Sequence, residues 1–230
     1  MVIGSGLLGT AFIDLKSFSN TIFFTSGVSN SKTATALDFD RERNLFVEIS
    51  KKHPDQLFVY FSTTSIYDDS LINTEYVKHK LKMEELAMKR CKRFLIFRLS
   101  NIVGKTKNPN TIFNFFYNSI LNEVPFAVWK NATRNFLDVD HVRIIVSYLL
   151  QNNSENNIIN VANPISISVL ELVNQFEKYL GKKAHFELLD KGQSFNVDVS
   201  DIFKALQVLN LKFDENYILN LLKKYYPFDI

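Results

Sequence analysis

Tyr76 and Lys80 stand four residues apart in Tyr76-Val-Lys-His-Lys80. On a helix this spacing puts both side chains on one face, about 6 Å apart at Cβ. An ammonium that close favours the phenolate and lowers the tyrosine pKa from about 10 toward working pH. A tyrosine so placed can exchange a proton with a sugar hydroxyl or a ketone. Ahead of it, Phe58-Val-Tyr-Phe-Ser-Thr-Thr-Ser-Ile-Tyr67 reads as a strand running into a hydroxyl-rich turn, where Thr63 can hydrogen-bond the same oxygen. By itself Tyr-x-x-x-Lys is a common pair on helix surfaces. What sets it apart is the company it keeps along the chain.

That company begins with Gly4-x-Gly6-x-x-Gly9, between a short apolar strand and a short helix, which holds three of the chain's seven glycines. In such a turn the first glycine permits the tight bend, the second lets backbone approach a pyrophosphate, and the third lets helix and strand pack closely. Gly4, Gly6, Leu7, Leu8 and Gly9 are therefore candidate dinucleotide-binding residues. An acidic residue to hold the adenosine ribose belongs about 20 residues past the turn, at the end of the second strand. Position 24 is Phe24, inside a strand, and Asp14 comes too early.

The elements that must position these groups alternate. Strands are predicted at 1–3, Thr21–Thr25, Leu57–Phe61 and Phe94–Leu99, with helices after the glycine turn and at 38–52 and 74–91. This β-α-β order is the mark of a parallel sheet. After Gly104 the reading is helix 111–122, strand Phe126–Trp129, helix 138–151, strand Ile158–Val161, helix Ser168–Leu180 stopped by Gly181, and a mostly helical tail over 200–225. The expected fold is α/β, a reduced Rossmann-type doubly wound parallel sheet with a small C-terminal α/β substrate cap. Residues 1–105 would form the dinucleotide-binding part, 106–230 mainly the cap, with about 130–165 returning to the sheet.

Composition bounds the rest. The chain has 230 residues, 46% hydrophobic and 22% charged, with a net charge of +3 and one cysteine. That is ordinary globular composition. Cys91 alone excludes an internal disulfide and a multi-cysteine metal site. With no basic stripe interleaved with aromatics, nucleic acid is not expected. No run approaches the roughly 18 apolar residues of a membrane helix. The start has no charged leader, so a cytoplasmic protein is expected. His53, His79, His141 and His185 lack metal-ligand spacing, and His79 is expected on the helix surface. Cys91 is read as structural, and Trp129, just ahead of Lys130 and Arg134, as a rim or core aromatic.

Taken together, the order of motifs resembles the extended short-chain dehydrogenase/reductases, in the nucleotide-sugar epimerase/dehydratase/reductase branch, over about residues 1–200. Val59-Tyr-Phe-Ser-Thr-Thr-Ser-Ile-Tyr67 is similar to the strand leading to that family's catalytic Ser/Thr, and Tyr76 and Lys80 match its Tyr-x-x-x-Lys. Phe97-Arg-Leu-Ser-Asn-Ile-Val-Gly104 matches its Arg-x-x-Asn-x-x-Gly run, and Arg134-Asn-Phe-Leu-Asp-Val-Asp-His-Val142 its Arg-Asp-Phe segment. The resemblance implies Thr63, Tyr76 and Lys80 as catalytic residues. It implies Ser26 and Gly27, with Tyr76, Lys80 and the glycine turn, as cofactor ligands. Thr64, Ser65, Asn101 and Arg134 would face substrate, Arg134 pairing with a diphosphate.

It further implies a nicotinamide cofactor, NADP(H) favoured with NAD(H) possible, a nucleotide-sugar substrate, and a homodimer built through helices 38–52 and 76–90. Ser26-Gly27-Val28 resembles the family's strand-four turn but arrives early, as though strands two and three were deleted. The Asp-Glu pair of 4,6-dehydratases is replaced by Thr64 and Ser65, which argues against dehydration. The expected activity is reduction of a nucleotide-linked 4-keto-6-deoxy sugar, of the kind used in bacterial-type surface polysaccharides. A 4-epimerase and a non-catalytic nucleotide-sugar or partner binder are the alternatives.

Overall fold

A computed structural model describes all residues except 16–17, 30–33, 153–154 and 228–230. The first half runs β1 (Val2–Ile3), α1 (Leu7–Phe12), β2 (Thr21–Phe24), α2 (Ala36–Lys52), β3 (Leu57–Thr63), a 3-10 turn at Thr64–Tyr67, α3 (Glu75–Arg90) and β4 (Phe94–Leu99). There follow β5 (Asn101–Val103), α4 (Ile112–Leu121), β6 (Phe126–Trp129), β7 (Thr133–Arg134), β8 (Phe136–Asp138), α5 (Val139–Asn152) and β9 (Asn157–Val161). The chain then passes through β10 (Ile167–Ser168), α6 (Val169–Leu180), β11 (Phe186–Leu189), a 3-10 turn at Ser200–Ile202, α7 (Phe203–Val208) and α8 (Tyr217–Tyr225).

Five strands form one parallel sheet in the order β1-β2-β3-β4-β9. Strands covered on both faces must be apolar on both, and β3 is buried from Leu57 to Thr63. Alternate residues divide the two layers. Phe23, Val59, Phe61, Leu95 and Phe97 face the core that holds Phe12 of α1 and Val142, Ile145 and Leu149 of α5. Ile22, Phe24, Phe58, Tyr60 and Ile96 face the core that holds Phe46 of α2 and Met83 and Ala87 of α3. Among the described residues β1 has β2 as its one sheet partner, so the sheet ends there.

Three helices, α4, α6 and α8, close a third core around Phe113, Phe116, Phe136 and Phe176. Two short strand pairs edge it, β6 with β11 and β7 with β10. The segment β8-α5-β9 returns to the sheet, where β9 pairs with β4. α8 is fastened to the start of α5 by polar groups. Lys224 Nζ lies 2.7 Å from both Asp138 Oδ2 and Asp140 Oδ2, and the Tyr225 hydroxyl donates to Asp138 Oδ1 at 2.6 Å.

Every long helix expected from periodicity is present within two residues of its expected ends. Gly181 ends α6 at φ +62°, the left-handed stop that glycine supplies. The tail is two helices and a 3-10 turn. Strands β5, β7, β8, β10 and β11 were not predicted: the first four have two or three residues, which carry no measurable alternation, and β11 has four.

Phe46 is fully buried, with ring centroids 5.1 Å from Phe24 and 5.4 Å from Phe58. Phe46→Ala should lower the unfolding free energy by about 3–5 kcal/mol. In denaturant titration this reads as a lower midpoint with an unchanged slope.

Candidate active site

The candidate site gathers at the carboxyl ends of β1, β2 and β3. After β1 the backbone turns at Gly4, whose φ of +126° is open to glycine and strained for other residues. A side chain there would also meet Ser26 N at 2.8 Å and Thr25 Oγ1 at 2.7 Å. The turn is thus pressed against the end of β2. At Gly6, the residue before α1, a Cβ would meet nothing within 4 Å. The open floor at Gly6, backed by buried Gly9 and half-buried Leu7 and Leu8, fits the backbone of a dinucleotide phosphate. Ser26 is held by Arg41, whose Nη1 reaches its Oγ at 3.0 Å and whose Nη2 reaches its carbonyl at 3.1 Å.

Behind this floor lies a buried charge cluster. Thr74 starts α3, its hydroxyl accepting from Val77 N, which puts Tyr76 in the first turn and Lys80 one turn further. Lys80 points inward, its side chain only 4% exposed. Its Nζ lies 3.2 Å from Glu42 Oε1, 3.2 Å from the Tyr60 hydroxyl and 3.5 Å from the Phe61 carbonyl. The centroid of the half-buried Tyr76 ring is 6.0 Å from the same nitrogen. Gly27 covers the ammonium: a Cβ there would lie 2.7 Å from Lys80 Nζ and 3.2 Å from Glu42 Oε1.

Glu42, on α2, is the hub. Its side chain is fully buried. It accepts from Val28 N at 2.6 Å, from the Tyr60 hydroxyl at 2.7 Å and from His79 Nε2 at 3.0 Å, besides pairing with Lys80. Burial pushes this carboxyl up, but the Lys80 charge and the three hydrogen bonds outweigh it and hold the group down at about 2. A carboxylate only accepts, so His79 Nε2 carries the proton in that bond. Burial and the adjacent Glu42 push the Tyr60 phenol well up, keeping it a donor.

The hydroxyl-rich turn is partly self-satisfied. Thr63 ends β3, buried, and its Oγ1 donates to Ser65 Oγ at 3.0 Å and accepts from Ser65 N at 3.0 Å. Among the described residues no hydrogen bond joins Thr63 to Tyr76. Thr64 is buried and Ser65 half-buried. Asn101 is exposed and donates to the Asn135 carbonyl at 2.9 Å. Arg134 donates to the Thr133 carbonyl at 2.7 Å and lies 3.6 Å from Asp68 Oδ2, so its charge is met by a buried carboxylate within the protein.

His79 departs from expectation. It is 8% exposed, stacked 4.5 Å from Phe39 and bonded to Glu42, because α3 turns this position toward α2. Cys91 is buried, and burial pushes its thiol up to about 12, which leaves it without thiolate character. Trp129 is 39% exposed at the end of β6. Among the described residues no group of three His, Cys, Asp or Glu is placed to hold a metal. Glu42 was missed by sequence reasoning, yet a signal existed. It falls one turn before Phe46 and two before Ile49 and Ser50, inside the stripe that α2 buries.

Comparison with known proteins bears on the family and the fold. Residues 25–162, more than half of the chain, match the NAD dependent epimerase/dehydratase family. A Bacillus subtilis (strain 168) protein described as an uncharacterized UDP-glucose epimerase, YtcB, is 27% identical over 183 residues. That match covers 71% of this chain and 58% of the relative, so this chain spans less than two thirds of the relative's length.

Solved structures share the fold. RMD from Pseudomonas aeruginosa, complexed with NADPH, has a TM-score of 0.68 at 15% identity, over 96% of this chain and 86% of that one. UDP-glucuronic acid 4-epimerase from Bacillus cereus, in complex with NAD, has a TM-score of 0.69 at 20% identity, over 95% and 76%. UDP-glucose 4-epimerase from Thermus thermophilus, also with NAD, has a TM-score of 0.68 at 15% identity, over 94% and 81%.

The Glu42 carboxyl sits below its ordinary value of 4.5, so the stability it lends is whole above that pH and is lost as pH falls toward about 2. Unfolding free energy should therefore drop by about 3 kcal/mol from this group across that window. Denaturant titrations at stepped pH check it: Glu42→Gln should flatten that part of the slope.

Proposed function

The chain belongs to the NAD dependent epimerase/dehydratase family, and from that premise we propose that it is an NAD(P)H-dependent reductase of a nucleotide-linked 4-keto-6-deoxy sugar. The observation that carries this reading is the placement of Tyr76 and the buried Lys80 one helical turn apart beside Gly27 and the glycine turn. In this proposal Gly4, Gly6, Leu7, Leu8, Gly9, Ser26 and Gly27 bound the cofactor site, with NADP(H) preferred and NAD(H) possible. The cofactor, when bound, supplies the hydride. Tyr76 gives its phenolic proton to the carbonyl oxygen of the sugar, and Thr63 shares a hydrogen bond to that oxygen. Lys80, together with Tyr76, would also hold the cofactor on its nicotinamide-ribose side. Asn101, Thr64 and Ser65 line the sugar side, and Arg134 meets the nucleotide diphosphate by exchanging its contact with Asp68.

The reductase reading draws on the edge of the sheet. With β1 as the last described strand, the adenosine half of a dinucleotide gains fewer walls, which suits a cofactor that exchanges each turnover. Dehydration is disfavoured because Thr64 and Ser65 offer no carboxyl. A nucleotide-sugar 4-epimerase is the second reading. It is favoured by the name of the B. subtilis relative and by the 4-epimerases among the similar structures. In either case the proposed assembly is a homodimer through α2 and α3, whose exposed surfaces include Leu37 and Met88. Among the described residues no helix is long and apolar enough to cross a membrane.

Mixing the protein with NADPH, or NADH, and a 4-keto-6-deoxy sugar nucleotide should give loss of reduced-nicotinamide absorbance. Tyr76→Phe should slow it by about 10²–10⁴-fold. No oxidation of reduced cofactor, together with nicotinamide that co-purifies and interconversion of 4-epimers, would replace the reductase with the epimerase. Neither turnover nor cofactor binding would leave a nucleotide-sugar binder.

A further inference from the structure

Nothing in the proposed chemistry calls for a fully buried carboxylate, yet one sits at its centre. Lys80 Nζ is 3.2 Å from Glu42 Oε1 and 6.0 Å from the centre of the Tyr76 ring, so the nearer partner of that charge is Glu42. Glu42 cannot swing away. Val28 N–H holds it from the turn after β2, Tyr60 from β3 and His79 from α3. Nor is Lys80 free to move up, because Gly27 lies against its nitrogen.

We infer that Glu42 is a positioning residue for the Tyr76–Lys80 pair: it locks the Lys80 ammonium into a buried ion pair, so that Tyr76 faces a neutral pair instead of a bare cation. The inference rests on the proposed role of Tyr76 as the proton-exchanging group. Its direction suits reduction, in which the tyrosine must start each cycle as the protonated phenol. A bare cation beside it would draw off that proton and leave a phenolate, the form that oxidation needs.

Among the described residues, four other charged or titratable groups stand around this cluster. From α3 come His79 and Glu84, and from β3 comes Tyr60. Glu84 is itself closed off by Arg98, whose Nε and Nη2 lie 3.0 and 2.6 Å from its two oxygens. From α2, beside Glu42, Arg41 points outward to Ser26. Lys80 is thus the charge whose nitrogen lies 6.0 Å from the Tyr76 ring, and Glu42 is the carboxylate paired with it.

The test is a phenolate absorbance titration, which needs neither substrate nor cofactor. Subtracting the Tyr76→Phe form of each protein isolates Tyr76 from the other tyrosines. Glu42→Gln keeps the shape of the side chain and removes its charge, and it should lower the Tyr76 midpoint by about one pH unit. Lys80→Met leaves the carboxylate alone and should move the midpoint up. Opposite shifts in the two variants establish the inference. A midpoint unmoved in both, or moved the same way in both, overturns it, because a merely structural role has no sign.

If Glu42→Gln does not fold, the double variant Glu42→Gln/Lys80→Met, which buries no charge at this place, is compared with Lys80→Met: a lower midpoint in the double variant supports the inference and an equal or higher one overturns it. In the cofactor-oxidation assay, the alkaline limb of activity for Glu42→Gln should follow the titration downward. Shifted midpoints with no turnover in any assay would overturn the reductase and leave the role of Glu42 standing.

Discussion

A fully buried carboxylate is the constraint on which the sheet's α2–α3 side depends. Taking Glu42 out of water is costly unless every oxygen is met. It is met from three directions at once: the turn after β2, the strand β3 and the helix α3. Each partner is thereby fixed relative to the others. Tyr60 and His79 are held as donors, Lys80 is drawn under Gly27, and the backbone after β2 is pinned where it closes against the glycine turn. The arrangement is also the reason Gly27 tolerates no side chain, since the atom it would strike is tethered by a buried pair.

Much of this was legible. The β-α alternation, the glycine turn and Tyr76-x-x-x-Lys80 stand in the sequence, and the long helices fall where their apolar spacing puts them. The partners of each charge were not legible, because they are tertiary facts. Lys80 and Glu42 are 38 residues apart and meet only when α2 and α3 pack side by side on the sheet. His79 looked like a surface residue because its neighbours Lys78 and Lys82 are charged; its own direction on α3 is toward Phe39 and Glu42. Arg134 shows the same limit. Its type and motif point to a phosphate partner, while the fold adds Asp68, a buried carboxylate 3.6 Å away. The short strands of the cap escaped for another reason: their pairing comes from contacts distant in sequence, and two residues have no pattern of their own.

A second salt-bridged hub repeats the logic one turn along α3. Glu84 accepts from Ser62 of β3 and both arms of Arg98 from β4, and Arg98 reaches on to the Tyr67 hydroxyl, itself bonded to Asn160 of β9. Polar groups thus run beneath the hydroxyl-rich turn from β3 to β9, each with a partner. Such satisfied networks rigidify the floor on which Thr63, Thr64 and Ser65 stand.

The polar fastening of α8 carries a consequence for how the molecule assembles. Lys224 and Asp138 are 86 residues apart, and α8 supplies Tyr217, Ile218, Leu221 and Leu222 to the aromatic core of the cap. That core therefore stays open to water until a distant segment arrives. The strands of the parallel sheet are complete at β9, and the layer on its α1–α5 side takes in Val199, Ile202, Ala205 and Leu206 from the 3-10 turn and α7, still ahead of α8 in the chain. Closure of so long a loop adds little entropy cost over a shorter one, since the cost grows only logarithmically. It does make the cap a late and slow contact to form. Until then a nascent chain carries Phe113, Phe116 and Phe176 uncovered, which makes the interval before α8 docks the period in which this protein most needs protection from its neighbours.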